Sequence, residues 1–398
     1  MTYRNSLTGH HSSGHPVIVM GVTNTTEDKL PRLVDQPTPT RLSEMTPEWL
    51  TAVMQSSGQI QGDDIVTGWH ASPIGEGIGL LSDLAKLELQ YASSGNPVPA
   101  LIAKFAVTDG VNRAVAQGLQ TYEREVKFYQ GLAAEIGSCC PRSYFSDVDP
   151  VTGDMVLLLE DLTAYRAGDQ TRGCTVSEAA IALDAVARLH AATWHAERRD
   201  DLAWWPTIEG PLYSGAIGVA VANVFDKTME SFAAFVHPDV VEAGERFKAA
   251  IPELHRRMAQ GAQALIHGDY RLDNFMFGTR ADHRPFVMLD MQAPIVTKAV
   301  HDVGYLLSQS LDVENRRTSE HQLVTQYHSA LVGYGVADYS VEQCWEDYKL
   351  AVLHCLEYAI VIAGTLEPGN ARGRKFVEAC LQRSCQAIVD LDLLSLLP

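Results

Sequence analysis

The chain has 398 residues, 46% of them hydrophobic and 20% charged, a globular composition with enough apolar material for two substantial cores. Its 49 acidic residues against 31 basic ones leave a formal charge of −18, which argues against nucleic acid as a partner. No stretch reaches membrane-spanning length, and seven cysteines without a C-x-x-C pair favour a reducing, cytoplasmic setting over a disulfide framework.

Residues 1–38 are rich in Thr, Ser, His, Gly and Pro and read as an arm; the apolar patch from Val17 to Val22 is too short and poorly flanked for a signal peptide. Thr46-Pro47-Glu48 then supplies an N-cap, a proline at the first helical position and a first-turn acid. That predicts a short helix burying Trp49, Leu50, Val53 and Met54. From Ile65 the pattern turns to strands. Gly75, Gly77 and Gly79 fall in a turn before the alternating run Leu84–Leu89. Missing side chains there let backbone approach a phosphate, although an ordinary glycine-rich hairpin gives the same pattern.

Pro99–Phe105 reads as the next strand and carries Lys104 between Ala103 and Phe105, where an ammonium needs a route to solvent or an anionic partner. A helix around Gln117–Ala134 follows with two acids, Glu123 and Glu125. They lie about half a helical turn apart, and the sequence leaves open which faces inward. Met155–Leu159 suits a buried strand ending at Glu160-Asp161-Leu162.

Thr175-Val176-Ser177-Glu178 is a capping box, predicting a helix with Ile181, Ala185, Leu189 and Ala192 near one face. On that helix His190 reads as a packed, hydrogen-bonded histidine; its five-residue spacing to His195 is poor for joint metal binding. Residues 200–262, with Trp204-Trp205 and helical patterns to Met258, form an insertion. Three apolar residues, Ala264 to Ile266, then lead into His267-Gly268-Asp269, with Asn274 five positions past the aspartate. A hairpin of two apolar runs, Phe275–Phe277 and Phe286–Leu289, ends on Asp290. Helices at roughly 318–335, 340–365 and 372–395 complete the chain.

An H-x-D-x-x-x-x-N loop followed by a strand-end aspartate is the set that phosphoryl transfer from ATP requires. The protein must position the acceptor hydroxyl with one carboxylate, Asp269, and offer Mg²⁺ two hard oxygen ligands, Asn274 and Asp290. In order and spacing, HGDYRLDN, LDMQ and HDVGYLL, with LLLEDL and ARLHAATW upstream, the chain resembles the aminoglycoside phosphotransferase superfamily. Within it, the ecdysteroid-kinase-like and choline-kinase-like branches are most similar, over roughly residues 65–395.

The resemblance implies an α+β, protein-kinase-like two-lobe fold, with an antiparallel-sheet N-lobe over residues 39–162 and a larger, mainly helical C-lobe over 163–398. It implies that Lys104 contacts the α- and β-phosphates and pairs with a helix glutamate, Glu125 by similarity, and that the turn at Gly75, Gly77 and Gly79 covers the phosphates. Glu160, Asp161 and Leu162 become the hinge, whose backbone would meet the adenine while the two acidic side chains cap the following loop. Asp302 becomes a brace for the catalytic loop. Met291-Gln292 in place of Phe-Gly, Gly268 in place of the arginine of H-R-D, and only twelve residues from Asp290 to Asp302 argue against a protein kinase switched by loop phosphorylation. The reading is a kinase for a small-molecule alcohol, with a non-catalytic nucleotide- or metabolite-binding module as the alternative.

Overall fold

The computed structural model describes residues 37–74, 81–93, 98–214, 216–365 and 370–398, so Gly75, Gly77 and Gly79, and nearly all of the 1–38 arm, lie outside the described residues. The N-terminal part is a five-stranded antiparallel sheet of β1 (Val66–Pro73), β2 (Ser82–Tyr91), β3 (Ala100–Ala106), β4 (Ser143–Val148) and β5 (Met155–Glu160), in the order β1-β2-β3-β5-β4. Helix α1 (Pro47–Ser56) starts where the sequence places it, with the Thr46 hydroxyl accepting the Trp49 N–H at 3.1 Å. Its Trp49, Leu50, Val53 and Met54 pack on one face of the sheet.

The two-residue period of the strands decides what reaches the site. On β5, Val156 and Leu158 face α1, whereas Met155, Leu157 and Leu159 join the core on the other side. A strand covered on both faces has no polar alternation, hence the unbroken apolar run. On β3, Leu101, Ala103 and Phe105 lie in the α1 core, which turns Lys104 to the opposite face.

Between β3 and β4 an additional helix, set off by a break, precedes the predicted one. α2 (Gly110–Gly118) stops, Gln120 takes a left-handed conformation at φ 54°, and α3 (Thr121–Lys127) runs through a π-helical turn, Phe128–Leu132, into α4 (Ala133–Ile136). Neither glycine nor proline stands at position 120, so the break left no local signature.

The C-terminal part holds two small sheets. β6 (Arg166–Ala167), β8 (Phe275–Phe277) and β9 (Phe286–Met288) form one, and β7 (Ala264–Ile266) with β10 (Ile295–Thr297) forms the other. Around them stand α5 (Val176–Ala192), α6 (Ala216–Ser231), α7 (Pro238–Glu242), α8 (Gly244–Met258), α9 (Val300–Ser310), α10 (Val313–Gly333), α11 (Val341–Thr365) and α12 (Ala371–Asp390). The capping box of α5 forms, with Thr175 and Glu178 bonded in both directions. Of the predicted face, Ala185 and Leu189 are buried, together with Ala182, Leu183, Val186 and His190, whereas Ala192 is half-buried and Ile181 is 40% exposed. Seven alanines in this helix blur the apolar stripe, so periodicity alone put Ile181 on the wrong side of its edge. α10 begins five residues earlier than expected because Asp312 caps it through the Asn315 N–H. Every residue of α9 is buried, making it the axis of the helical lobe. Trp205 is buried, and Trp204 packs against the same core beneath the Lys127 ammonium, 4.6 Å from the ring centre. Among the described residues no helix is long and apolar enough to cross a membrane, and all seven cysteines are free thiols.

Candidate active site

The loop leaving β7 is shaped by one buried carboxylate. In the first turn of α9, Asp302 accepts the backbone N–H groups of His267 at 2.7 Å and Gly268 at 3.0 Å. His190 reaches the same carboxylate at 3.1 Å and Tyr327 at 2.8 Å through its two ring nitrogens. Burial favours the neutral acid, but the imidazoles of His190 and His301 beside it outweigh that and hold Asp302 far below the usual carboxylate range.

Gly268 bends the chain at φ +80°, and a Cβ there would stand 2.2 Å from the Ala293 carbonyl oxygen. Gly268→Ala is therefore expected to cost at least about 2 kcal/mol from the left-handed backbone and the overlap together. Urea denaturation should show a lower midpoint at unchanged slope.

The bend delivers Asp269 beside Asn274, whose Nδ2 donates to the Asp269 backbone oxygen at 2.8 Å and to Oδ2 at 2.9 Å. The Asn274 carbonyl in turn accepts the Leu289 N–H at 2.8 Å, and His267 Nε2 meets the Leu289 carbonyl oxygen at the same distance. These contacts tie the loop after β7 to the end of β9, where Asp290 adopts φ 65° and leaves its side chain 37% exposed.

Across from this hairpin, Lys104 Nζ lies 2.7 Å from Asp290 Oδ1 and 2.7–2.8 Å from the two oxygens of Glu125. Of the two glutamates left open by the sequence, Glu125 thus reaches the lysine, and no bond joins Glu123 to it among the described residues. Burial opposes a charge on Lys104, but the carboxylates of Asp290 and Glu125 hold its ammonium above its ordinary range. Burial pushes Glu125 upward in spite of Lys104.

Further side chains complete the surroundings of these groups. Gln292 donates to Glu125 at 3.2 Å and to the Ser82 hydroxyl at 2.9 Å, securing the glutamate from the far side. Arg271 grips both oxygens of Asp269 through Nε at 2.9 and 3.1 Å, bonds Asp273 at 3.0 Å, and lies 5.0 Å above the Phe376 ring. Tyr305 donates to Asp269 at 3.2 Å; its place one turn after Asp302 is the one hint of it the sequence held. Burial would raise the Asp269 pKa, but Arg271 and His267 draw it below the ordinary carboxylate value.

At the end of β5 the acidic side chains are taken by protein partners. Glu160 pairs with Arg284 at 2.5 Å, while Asp161 pairs with Lys86 and accepts the Thr163 N–H, each at 2.9 Å. Leu162 is buried, its carbonyl accepts the Tyr165 N–H, and its own N–H has no protein acceptor among the described residues.

A five-stranded antiparallel sheet carrying a buried lysine–glutamate pair, set over a larger helical lobe with an H-G-D loop and a hairpin-end aspartate, defines a protein-kinase-like fold. The chain belongs to the ecdysteroid kinase-like family, whose model matches residues 76–335. No curated protein matches it.

Among solved structures, the chain is similar to a putative aminoglycoside phosphotransferase from Ralstonia eutropha, with 16% identity, TM-score 0.51, and 88% of this chain and 98% of that one covered. It is also similar to choline kinase from Cryptosporidium parvum, at 10% identity, TM-score 0.53, and coverage of 86% and 97%. The GDP and kanamycin complex of APH(2″)-IIia aligns at 13% identity, TM-score 0.50, and coverage of 88% and 99%. At such identities the likeness is one of fold.

Proposed function

We propose that this chain is a kinase that transfers the γ-phosphoryl group of ATP to a hydroxyl of a small organic molecule. The observation that carries the reading is the joint placement of Lys104, Glu125, Asp290, Asn274 and Asp269 through direct contacts from two lobes. Asn274 Oδ1 and Asp290 Oδ2, oxygens without a protein donor among the described residues, fit the hard donors that Mg²⁺ prefers. The bound metal would neutralise charge on the triphosphate. Lys104, oriented by Glu125, would hold the α- and β-phosphates, and the free N–H of Leu162 would meet the adenine edge. Asp269 would orient the acceptor hydroxyl and take its proton.

The groups packed about Asp269 are the aromatic rings of Tyr305 and, stacked on it at 5.6 Å, Tyr358, together with Arg271 and Phe376. An aromatic surround, with the Arg271 charge taken up by Asp269 and Asp273, supports an apolar alcohol, such as a steroid-like alcohol, over a polycationic aminoglycoside. The test is ADP release from ATP across a panel of such alcohols, aminoglycosides and choline, for wild type and Asp290→Ala. Turnover with an apolar alcohol that disappears in the variant is expected, and turnover unaffected by Asp290→Ala sinks the mechanism.

One observation favours the non-catalytic alternative: Arg271, Asn274 and Tyr305 between them occupy both oxygens of Asp269. Calorimetric ATP binding without phosphate transfer to any member of the panel would support that reading.

A further inference from the structure

Behind Tyr305 lies a polar cluster that the phosphoryl-transfer site does not use. α8 contributes His255 and α11 contributes His354 and Glu357, three residues apart and so on one face of the helix; all are at most 1% exposed. One contact joins them, His255 Nε2 to Glu357 Oε2 at 2.8 Å. His255 Nδ1, both nitrogens of His354 and Glu357 Oε1 have no hydrogen-bond partner among the described residues. Each orphaned buried polar group costs about 1–3 kcal/mol, and an apolar filling of the same volume would avoid that cost. At Arg316 the core does match its charges, burying the guanidinium against Glu320 and Asp390, whereas orphans such as Arg124 Nε are scattered singly. Four orphans in one place therefore point to a ligand that takes lone pairs.

One ligating atom from each of the three side chains lies within 4.8 Å of the other two. His301 on α9 stands next to them, its ring centre 5.3 Å from that of His354 and both its nitrogens also without a hydrogen bond. Its Nδ1 is 3.5 Å from Asp302 Oδ1, outside hydrogen-bond geometry.

We propose that His255, His354 and Glu357 bind one divalent transition-metal ion of the zinc type, clamping α8 to α11. Two imidazoles and a carboxylate suit a borderline cation and are a poor set for magnesium, which separates this site from the one beside Asp290. The fourth position falls to His301 after a small ring rotation, or to water. Binding releases the proton shared between His255 and Glu357, leaving the carboxylate as the anionic ligand. With no exposed ligand the role is structural. The clamp fixes α11, whose Tyr358 stacks on His354 at 5.7 Å and on Tyr305 at 5.6 Å, and Tyr305 touches Asp269. The ion thus sets the wall behind the catalytic-loop aspartate from two rings away.

The test uses the full chain without a metal-affinity tag. It is stripped with a chelator, dialysed against buffered zinc, and measured by elemental analysis and by calorimetric melting with and without the ion. Cobalt(II) serves as the visible-absorption probe. Glu357→Gln keeps the size and a hydrogen bond to His255 but loses the anionic ligand; His354→Leu removes two orphan nitrogens. Wild type is expected to hold about one zinc per chain, to melt higher with zinc, and to give ligand-field bands with cobalt, with binding weakened about 10-fold or more in either variant. Folded wild type that takes up neither ion and melts at the same temperature in both conditions overturns the proposal. So does metal content unchanged in both variants. None of these readouts depends on kinase activity.

Discussion

Asp269→Asn is expected to lower kcat for phosphoryl transfer by about 10²–10⁴-fold, the range a positioned proton acceptor contributes. Nucleotide affinity, measured by calorimetry, should change little, because Asp269 contacts neither Lys104 nor the end of β5. Asn keeps the shape and one acceptor oxygen for Asn274, so the loop should survive. What it loses is the negative charge that Arg271 grips and the ability to take a proton. Arg271 also makes Asp269 a weaker base than an isolated aspartate, since its carboxyl lies below the ordinary range. That is tolerable for a loose phosphoryl-transfer transition state, in which the hydroxyl proton departs late and orientation matters more than basicity.

The sign of the pH effect follows. A depressed pKa keeps the active carboxylate form at lower pH, so Asp269 should produce no acid limb in kcat between about pH 5 and 8. Arg271→Ala should bring that limb upward toward neutrality. Retention of more than about a tenth of wild-type kcat in Asp269→Asn would remove Asp269 from the chemistry, because even the weaker contributions of a proton acceptor exceed that margin.

What the sequence made legible was chemistry carried on short, continuous segments. His267-Gly268-Asp269 and Asn274 lie within one loop, and the hairpin that follows returns Asp290 to it by local pairing alone. Lys104 was conspicuous as a charge inside an apolar strand. Glu125 was harder, because its direction depends on a left-handed residue at Gln120 and a π-helical turn at Phe128–Leu132, neither of which has a residue signature. Other contacts between distant segments were not legible, such as Gln292 with Ser82 and Arg284 with Glu160. The edge of the buried face of α5 was blurred for a different reason, since alanines carry too little apolar contrast to define a stripe. The histidines of α8, α9 and α11 each look like ordinary core residues one at a time. Only their meeting in space sets them apart.

Asp302→Asn should be the most destabilising single change near the site, costing roughly 3–5 kcal/mol as for a buried charged group stripped of its partner. The carboxylate serves three donors at once: His267 N–H, Gly268 N–H and the His190 ring. Asn offers one oxygen for them and turns an NH₂ toward at least one, leaving a buried donor facing a donor. Because Gly268 is held in its left-handed bend from this carboxylate, the loss spreads to the placement of Asp269, and activity should fall along with stability.

The pH dependence separates this from simple misfit. Asp302 is depressed in the folded protein, so its contribution is complete above the unfolded aspartate pKa, about 3.9, and fades as pH falls from there toward the folded value. Other carboxylates titrate equally in wild type and variant and cancel in the difference. Urea midpoints at neutral pH, at pH 5 and near pH 3 should therefore give a constant gap for the first two and a smaller gap for the third. A gap independent of pH would mean that shape alone, not the charge on Asp302, holds the catalytic loop. A gap under about 1 kcal/mol at neutral pH would remove the brace altogether, since that is the worth of an ordinary hydrogen bond.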